Sequence, residues 1–177
     1  MTGLSPRPVA ILALAALGLA GCSGTRTLLT SASAHAQSLP QSPSSVRAAN
    51  ARYSHPLYPN ETPELRALIV KYATLYDVPV ELVQRQIVRE STHRPWVRNG
   101  PYYGLMQILP ATARSMGFRG QPSDLLDAET NLKYAVKYLR GAWIVSGGNI
   151  DKAVMWYARG YYYEAKRLGL LEETGLR

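Results

Sequence analysis

Cysteine is almost missing from this chain: among its 177 residues the single thiol is Cys22. One thiol cannot close an intrachain disulfide, and no cysteine-based zinc site can be assembled. Histidine is nearly as scarce. His35, His55 and His93 are scattered, with no His-x-x-x-His pair for a helix face, so no metal site is expected. A Gly-rich phosphate loop is also lacking. Gly147-Gly148 has neither the Lys nor the Ser/Thr that such a loop needs, and no cofactor is expected. Acidic residues number 12 against 20 Lys and Arg, for a net charge of +8. That excess favours anionic partners. The basic residues form no long run, however, and nucleic acid is not an expected partner. Phenylalanine occurs once and tyrosine 12 times. A tyrosine ring has an apolar face and a polar tip, which suits a wet groove as well as a core.

What is present begins with a segment for export. Arg7 precedes an apolar run from Val9 to Ala20. The run is too short to cross a hydrocarbon layer of about 30 Å and has the proportions of a secretory signal. It ends in "LAGC", which resembles the bacterial lipobox. That resemblance implies cleavage before Cys22, lipidation of its thiol and anchorage to a membrane. Ser23 then points to the periplasmic face of the outer membrane. A plain signal cut after "SAHA" at Ala36 is the alternative. Residues 22–60 are rich in Ser, Ala, Pro and Gln and poor in large apolar side chains. Such a stretch reads as a flexible tether, spanning about 35 Å r.m.s.. Residues 61–177 read as one folded domain.

That domain is predicted to be mostly α. Thr62 caps a helix to about Tyr76, with Pro63 at its first position, where the missing N–H costs nothing. A second helix is expected from Pro79 to Ser91, and a short one from Ala111 to Met116, stopped by Gly117. Asp127 caps a long helix to about Ser146. Its buried face is read from Leu132, Ala135, Val136, Leu139, Ala142, Trp143 and Ser146. Asp151 caps a helix through Ala158, and a last one runs from Tyr161 to Leu168, ending at Gly169. No strand alternation and no internal repeat are visible. Six to seven helices result.

One position stands out. Val83, Ile87 and Glu90 fall at i, i+4 and i+7, which puts Glu90 on the apolar stripe of its helix. From Ser91 to Ser123 no carboxylate follows it. Burial disfavours the ionised form and raises the pKa, as a general acid requires. A helix-end glutamate paired with Arg89, Arg94 or Arg98 fits the same pattern, and periodicity leaves the two readings evenly matched.

Four motifs occur in order: "ES" at Glu90-Ser91, "GLMQILPATA" at 104–113, "NLKYAVKYL" at 131–139 and "AVMWYARG" at 153–160. Together they resemble the lytic transglycosylase domain of the lysozyme-like superfamily, in its soluble-transglycosylase and goose-lysozyme-like branch. The likeness runs from about Pro63 to Leu168. It implies a lysozyme-like fold around a substrate groove, and peptidoglycan glycan strands as the partner. It implies cleavage of the β-1,4 bond between N-acetylmuramic acid and N-acetylglucosamine with formation of a 1,6-anhydro ring. In that likeness Glu90 is the acid and then the base. Gln107 matches a glutamine that contacts sugar, and Tyr157 a tyrosine near the catalytic glutamate. Tyr102 and Tyr103 are candidates for stacking on sugar faces, and Asn99 stands where the family often has serine. Ala158 replaces the family's asparagine, with Arg159 beside it. "PYYG" replaces its "G-A-x-G", with one residue fewer between Glu90 and Gln107. A hydrolytic muramidase on the same fold and a non-catalytic peptidoglycan-binding lipoprotein are the alternatives. Protein partners are not legible.

Overall fold

The computed structural model describes residues 42–176. The signal segment 1–21, Cys22 and the first part of the tether lie outside the described residues. Among those described, seven α-helices and one two-stranded hairpin form, so the mostly α expectation holds.

The first helix, α1 (Pro43–Ala51), lies within the stretch read as tether, so the flexible reading of residues 22–60 does not extend over it. Composition misses α1 because apolar area is not its main anchor. Val46 is buried, but Asn50 carries the attachment. Its Nδ2 donates to the Val78 carbonyl at 3.0 Å and its Oδ1 accepts from the Val80 N–H at 2.9 Å. The chain that follows docks as well. Rings of Tyr53, His55, Tyr58 and His93 stack in sequence, and Arg66 donates to the carbonyls of His55 and Pro56.

Helix α2 (Pro63–Leu75) starts as expected: the Thr62 hydroxyl accepts from the Leu65 N–H and Pro63 opens the helix. Helix α3 (Val80–Glu90) follows Pro79. The hairpin joins β1 (Arg98–Asn99) to β2 (Tyr102–Tyr103), with Asn99 opposite Tyr102 and Arg98 opposite Tyr103. Two-residue strands are too short to show alternation, so the sequence pattern holds no trace of them. Helix α4 (Pro110–Ser115) uses Pro110 as its first residue, one earlier than expected. A 3-10 turn at Pro122–Leu126 leads into the long α5 (Ala128–Val145), whose N-cap is Asp127.

Every residue assigned to the inner face of α5 is buried. This helix is the axis of the domain, touching α2, α4, α6 (Ile150–Arg159), α7 (Tyr162–Leu168) and the 3-10 turn. The cap of α6 differs from the expectation. Asn149 accepts from the Lys152 N–H, while Asp151 sits in the first turn and pairs with Arg85. Asn149 precedes the helix with extended backbone, as a cap must, and Asp151 is already helical. Gly141 on α5 leaves space for Tyr161, whose hydroxyl donates to the Tyr138 carbonyl at 2.8 Å. Tyr161 is therefore core, and Tyr162 and Tyr163 are surface.

Candidate active site

Glu90 is the last residue of α3. The helix stops there because Thr92 and His93 take positive φ, 51° and 60°. His93 is fully buried and anchors that turn. Its Nε2 donates to Gln84 Oε1 at 2.6 Å, and Gln84 Nε2 donates to Glu61 Oε1 at 2.6 Å. Glu61 is clasped by Arg66 at 2.6 Å on each oxygen. Burial pushes the Glu61 carboxyl up, but Arg66, the Tyr58 N–H and Gln84 outweigh it and hold it below the ordinary glutamate value. A buried polar chain thus runs from α2 through α3 to the segment just beyond Glu90.

The Glu90 side chain is 21% exposed. Burial raises its pKa above the ordinary value, and Arg89 opposes that, with its Nε 3.7 Å from Glu90 Oε1. One full turn back, the fully buried Gln86 donates its Nε2 to the same oxygen at 2.8 Å. Gln86 Oε1 is buried without a partner, so the amide is committed to Glu90. Arg94 and Arg98 turn away, to the carbonyls of Ser91 and Gly100. Of the three arginines that could neutralise Glu90, only Arg89 approaches it.

The opposite wall comes from the segment 102–108. Gly104 has φ 73°, and a Cβ there would strike the Leu125 carbonyl and the Asn131 side chain. Asn131, buried on α5, makes three bonds. Its Nδ2 donates to the carbonyls of Tyr103 and Leu125, and its Oδ1 accepts from the Met106 N–H. Gly104 therefore permits a close approach to α5 rather than to the groove. Gln107 follows in the left-handed region, φ 47°. Its Nε2 donates to the carbonyls of Val97 and Gly104, at 3.0 and 2.9 Å. These bonds offset a backbone cost of about 1 kcal/mol. Gln107 thus braces the wall it belongs to. Met106 and Ile108 are core.

Tyr157 reaches in from α6. Its hydroxyl donates to the Met106 carbonyl at 2.9 Å. Burial, followed by the neighbouring Glu90 charge, drives its pKa well above the ordinary tyrosine value, so it remains a neutral donor.

These pieces form a cavity of about 350 Å³ lined by Arg89, Glu90, Asn99, Tyr102, Gln107, Tyr157 and Ala158. Five of the expected site residues thus meet: Glu90, Asn99, Tyr102, Gln107 and Tyr157. Tyr103 does not line it. Successive residues of a strand face opposite ways, so Tyr102 lines the cavity while Tyr103 packs against the core beneath Arg98. A second cavity of about 240 Å³ shares Tyr102, Gln107, Tyr157 and Ala158 with the first and extends it past Tyr138 to Arg159. Among the described residues Glu90 is the one carboxylate lining either cavity. Asp124 accepts from the Gln121 N–H, Asp127 caps α5, and Asp151 pairs with Arg85. A cavity of about 390 Å³ between α1 and the α5–α6 turn is larger, but its carboxylate, Glu81, is exposed to solvent.

A family model described as the transglycosylase SLT domain matches residues 67–169, more than half of the chain. The chain belongs to this transglycosylase SLT domain family. Its matched span runs from α2 to the end of α7 and contains Glu90, Gln107, Tyr157 and both cavities. Membership supports a lysozyme-like domain with transglycosylase activity on peptidoglycan. No solved structure matches the chain.

Sequence reasoning overlooked Gln86 and Asn131. Gln86 carried a signal, since it lies four residues before Glu90, where helical side chains meet. Asn131 stood inside a recognised motif, but its three bonds go to residues 6, 25 and 28 positions away, which no local pattern reports.

Proposed function

We propose that this chain is a lytic transglycosylase that cleaves the N-acetylmuramoyl-β-1,4-N-acetylglucosamine bond of peptidoglycan, with Glu90 as general acid and then general base. The observation that carries this reading is a lone, partly buried carboxylate in the cavity of a transglycosylase-family domain. Most glycosidases need two carboxylates at a set separation. A transglycosylase needs one, because the substrate brings its own nucleophile.

The steps follow from that economy. Protonated Glu90 gives its proton to the glycosidic oxygen as the bond from the anomeric carbon to that oxygen breaks. The substrate's 6-hydroxyl oxygen then bonds to the anomeric carbon, and its proton returns to the Glu90 carboxylate. The product carries a 1,6-anhydro end, no water is consumed, and the acid is regenerated. Burial keeps Glu90 protonated to higher pH than an exposed glutamate, while Gln86 and Arg89 stabilise its ionised form. Tyr157, tied to the Met106 carbonyl, supports the wall facing Glu90, and Asn99, Tyr102 and Gln107 supply surface for sugar.

Digestion of sacculi by wild type and Glu90→Gln, read by mass spectrometry, tests this. We expect the wild type to release fragments one water lighter than hydrolysed ones, and the variant to lose at least about a thousandfold in rate. Fragments with a hydrolysed end would make the protein a muramidase. Equal activity of the two proteins would remove Glu90 from the chemistry. The variant is expected to melt no lower than wild type at neutral pH. A glutamate whose folded pKa is raised withdraws stability as pH rises through that value, and glutamine avoids the loss. The two melting temperatures should converge in acid, where both side chains are neutral.

The lipobox-like "LAGC" supports a periplasmic enzyme anchored through Cys22. Fractionation checks this: Cys22→Ser should move the protein from membranes to the soluble fraction.

A further inference from the structure

The second cavity ends on a cation that the reaction above does not use. Arg159 is the last residue of α6, followed by Gly160 at φ 80°, which turns the chain away. It is exposed, lines the cavity, and has no carboxylate partner among the described residues. A guanidinium at a helix end can simply be solvated, with some help from the helix dipole. Its surroundings argue for more. Four other exposed basic side chains are taken up by carboxylates, Arg47 by Asp77, Lys71 by Glu129, Arg85 by Asp151 and Arg167 by Glu164, and those that are not, such as Arg52, Arg114 and Lys152, line neither of the joined cavities. The charged residues lining the joined cavities are Arg89, Glu90 and Arg159. With Glu90 protonated, as its acid role requires, the groove carries two positive charges and no negative one. Ala158, between Tyr157 and Arg159, is small and keeps the approach from one cavity to the other open.

We propose that Arg159 is a specificity residue that binds a carboxylate carried on the 3-substituent of a muramoyl residue, selecting acidic glycan over neutral β-1,4-linked N-acetylglucosamine. This rests on peptidoglycan being the substrate. Arginine suits the task because its planar fork pairs both oxygens of a carboxylate at once. The carboxylate has two possible sources. Strands with intact stems carry it on the peptide. Stripping the peptide at its link to the sugar leaves it on the lactyl ether instead.

The test is binding in the full-length Glu90→Gln background, so that it does not depend on cleavage. Three glycans of equal length are compared: stem-bearing strands, amidase-stripped strands and neutral N-acetylglucosamine oligomers. We expect the Glu90→Gln protein to favour at least one acidic strand over the neutral one. Adding Arg159→Ala should cut affinity for that strand by about tenfold, the size of one partly solvated charge-assisted hydrogen bond, and spare the neutral oligomer. Whichever acidic strand responds identifies the source of the carboxylate. Arg159→Lys should restore part of the loss, and Lys71→Ala, outside the groove, should leave the preference as it was. An equal loss on all three glycans, or no loss on any, overturns the proposal. Failure of the wild type to cleave sacculi would instead count against the transglycosylase reading and leave this measurement intact.

Discussion

The acid–base role proposed for Glu90 depends on neighbours that act in opposite directions. Burial raises its pKa, and Arg89 pulls it back. The acid step needs the protonated form, so activity should fall as pH rises through the Glu90 pKa. Removing the Arg89 cation leaves burial unopposed. We expect Arg89→Ala to move the alkaline limb of the pH–rate profile upward, measured as kcat against pH on sacculi. A limb that stays in place or moves down would mean that Arg89 does not govern Glu90. Gln86 acts on the same oxygen without a charge of its own, so Glu90 is held by one buried dipole and one exposed cation.

At the level of elements, the wall formed by residues 102–108 is the part most easily broken. It has little regular structure and depends on Asn131, on the bond from Tyr157 to Met106, and on the absence of a side chain at Gly104. Alanine at position 104 would meet a backbone carbonyl and a buried amide that cannot move aside, at a φ that L side chains avoid. We expect Gly104→Ala to cost about 2–4 kcal/mol and to lower Tm by roughly 10 °C or more in thermal unfolding followed by circular dichroism. Cleavage should fall in parallel, because the Gln107 side chain is held by the Gly104 carbonyl. The hairpin belongs to the same wall. Its register decides that Tyr102 faces the groove and Tyr103 the core, which a pair of adjacent tyrosines cannot reveal in sequence.

On the scale of the whole described domain, pH acts on stability through a buried histidine. Burial lowers the His93 pKa below its ordinary value. The unfolded chain then binds a proton that the folded chain refuses, so stability declines as pH falls below about 6.5. We expect Tm to drop between pH 7 and pH 5, and His93→Gln to flatten that drop, since glutamine can still donate to Gln84 and takes up no proton. An unchanged slope in the variant would assign the acid sensitivity elsewhere. The coupling bears on function as well, because His93 closes the turn that ends α3 at Glu90.

Helices α2 to α7, the Thr62–Pro63 and Asp127 starts and the inner face of α5 were legible because each follows from spacing within a few residues. Thr62, Pro63 and Asp127 act where their sequence neighbours say they act. The stripe of Val83, Ile87 and Glu90 likewise brought Glu90 forward, and the family motifs brought Gln107 and Tyr157. Tertiary structure decided the rest. It docked α1 through Asn50, committed Gln86 to Glu90, turned Tyr102 rather than Tyr103 into the groove, and left Arg159 unpaired at its far end. The physical reason is the range of the forces. Periodicity and capping are set by adjacent residues, whereas a buried amide, an ion pair or an empty place beside an arginine depends on which distant side chain the fold delivers.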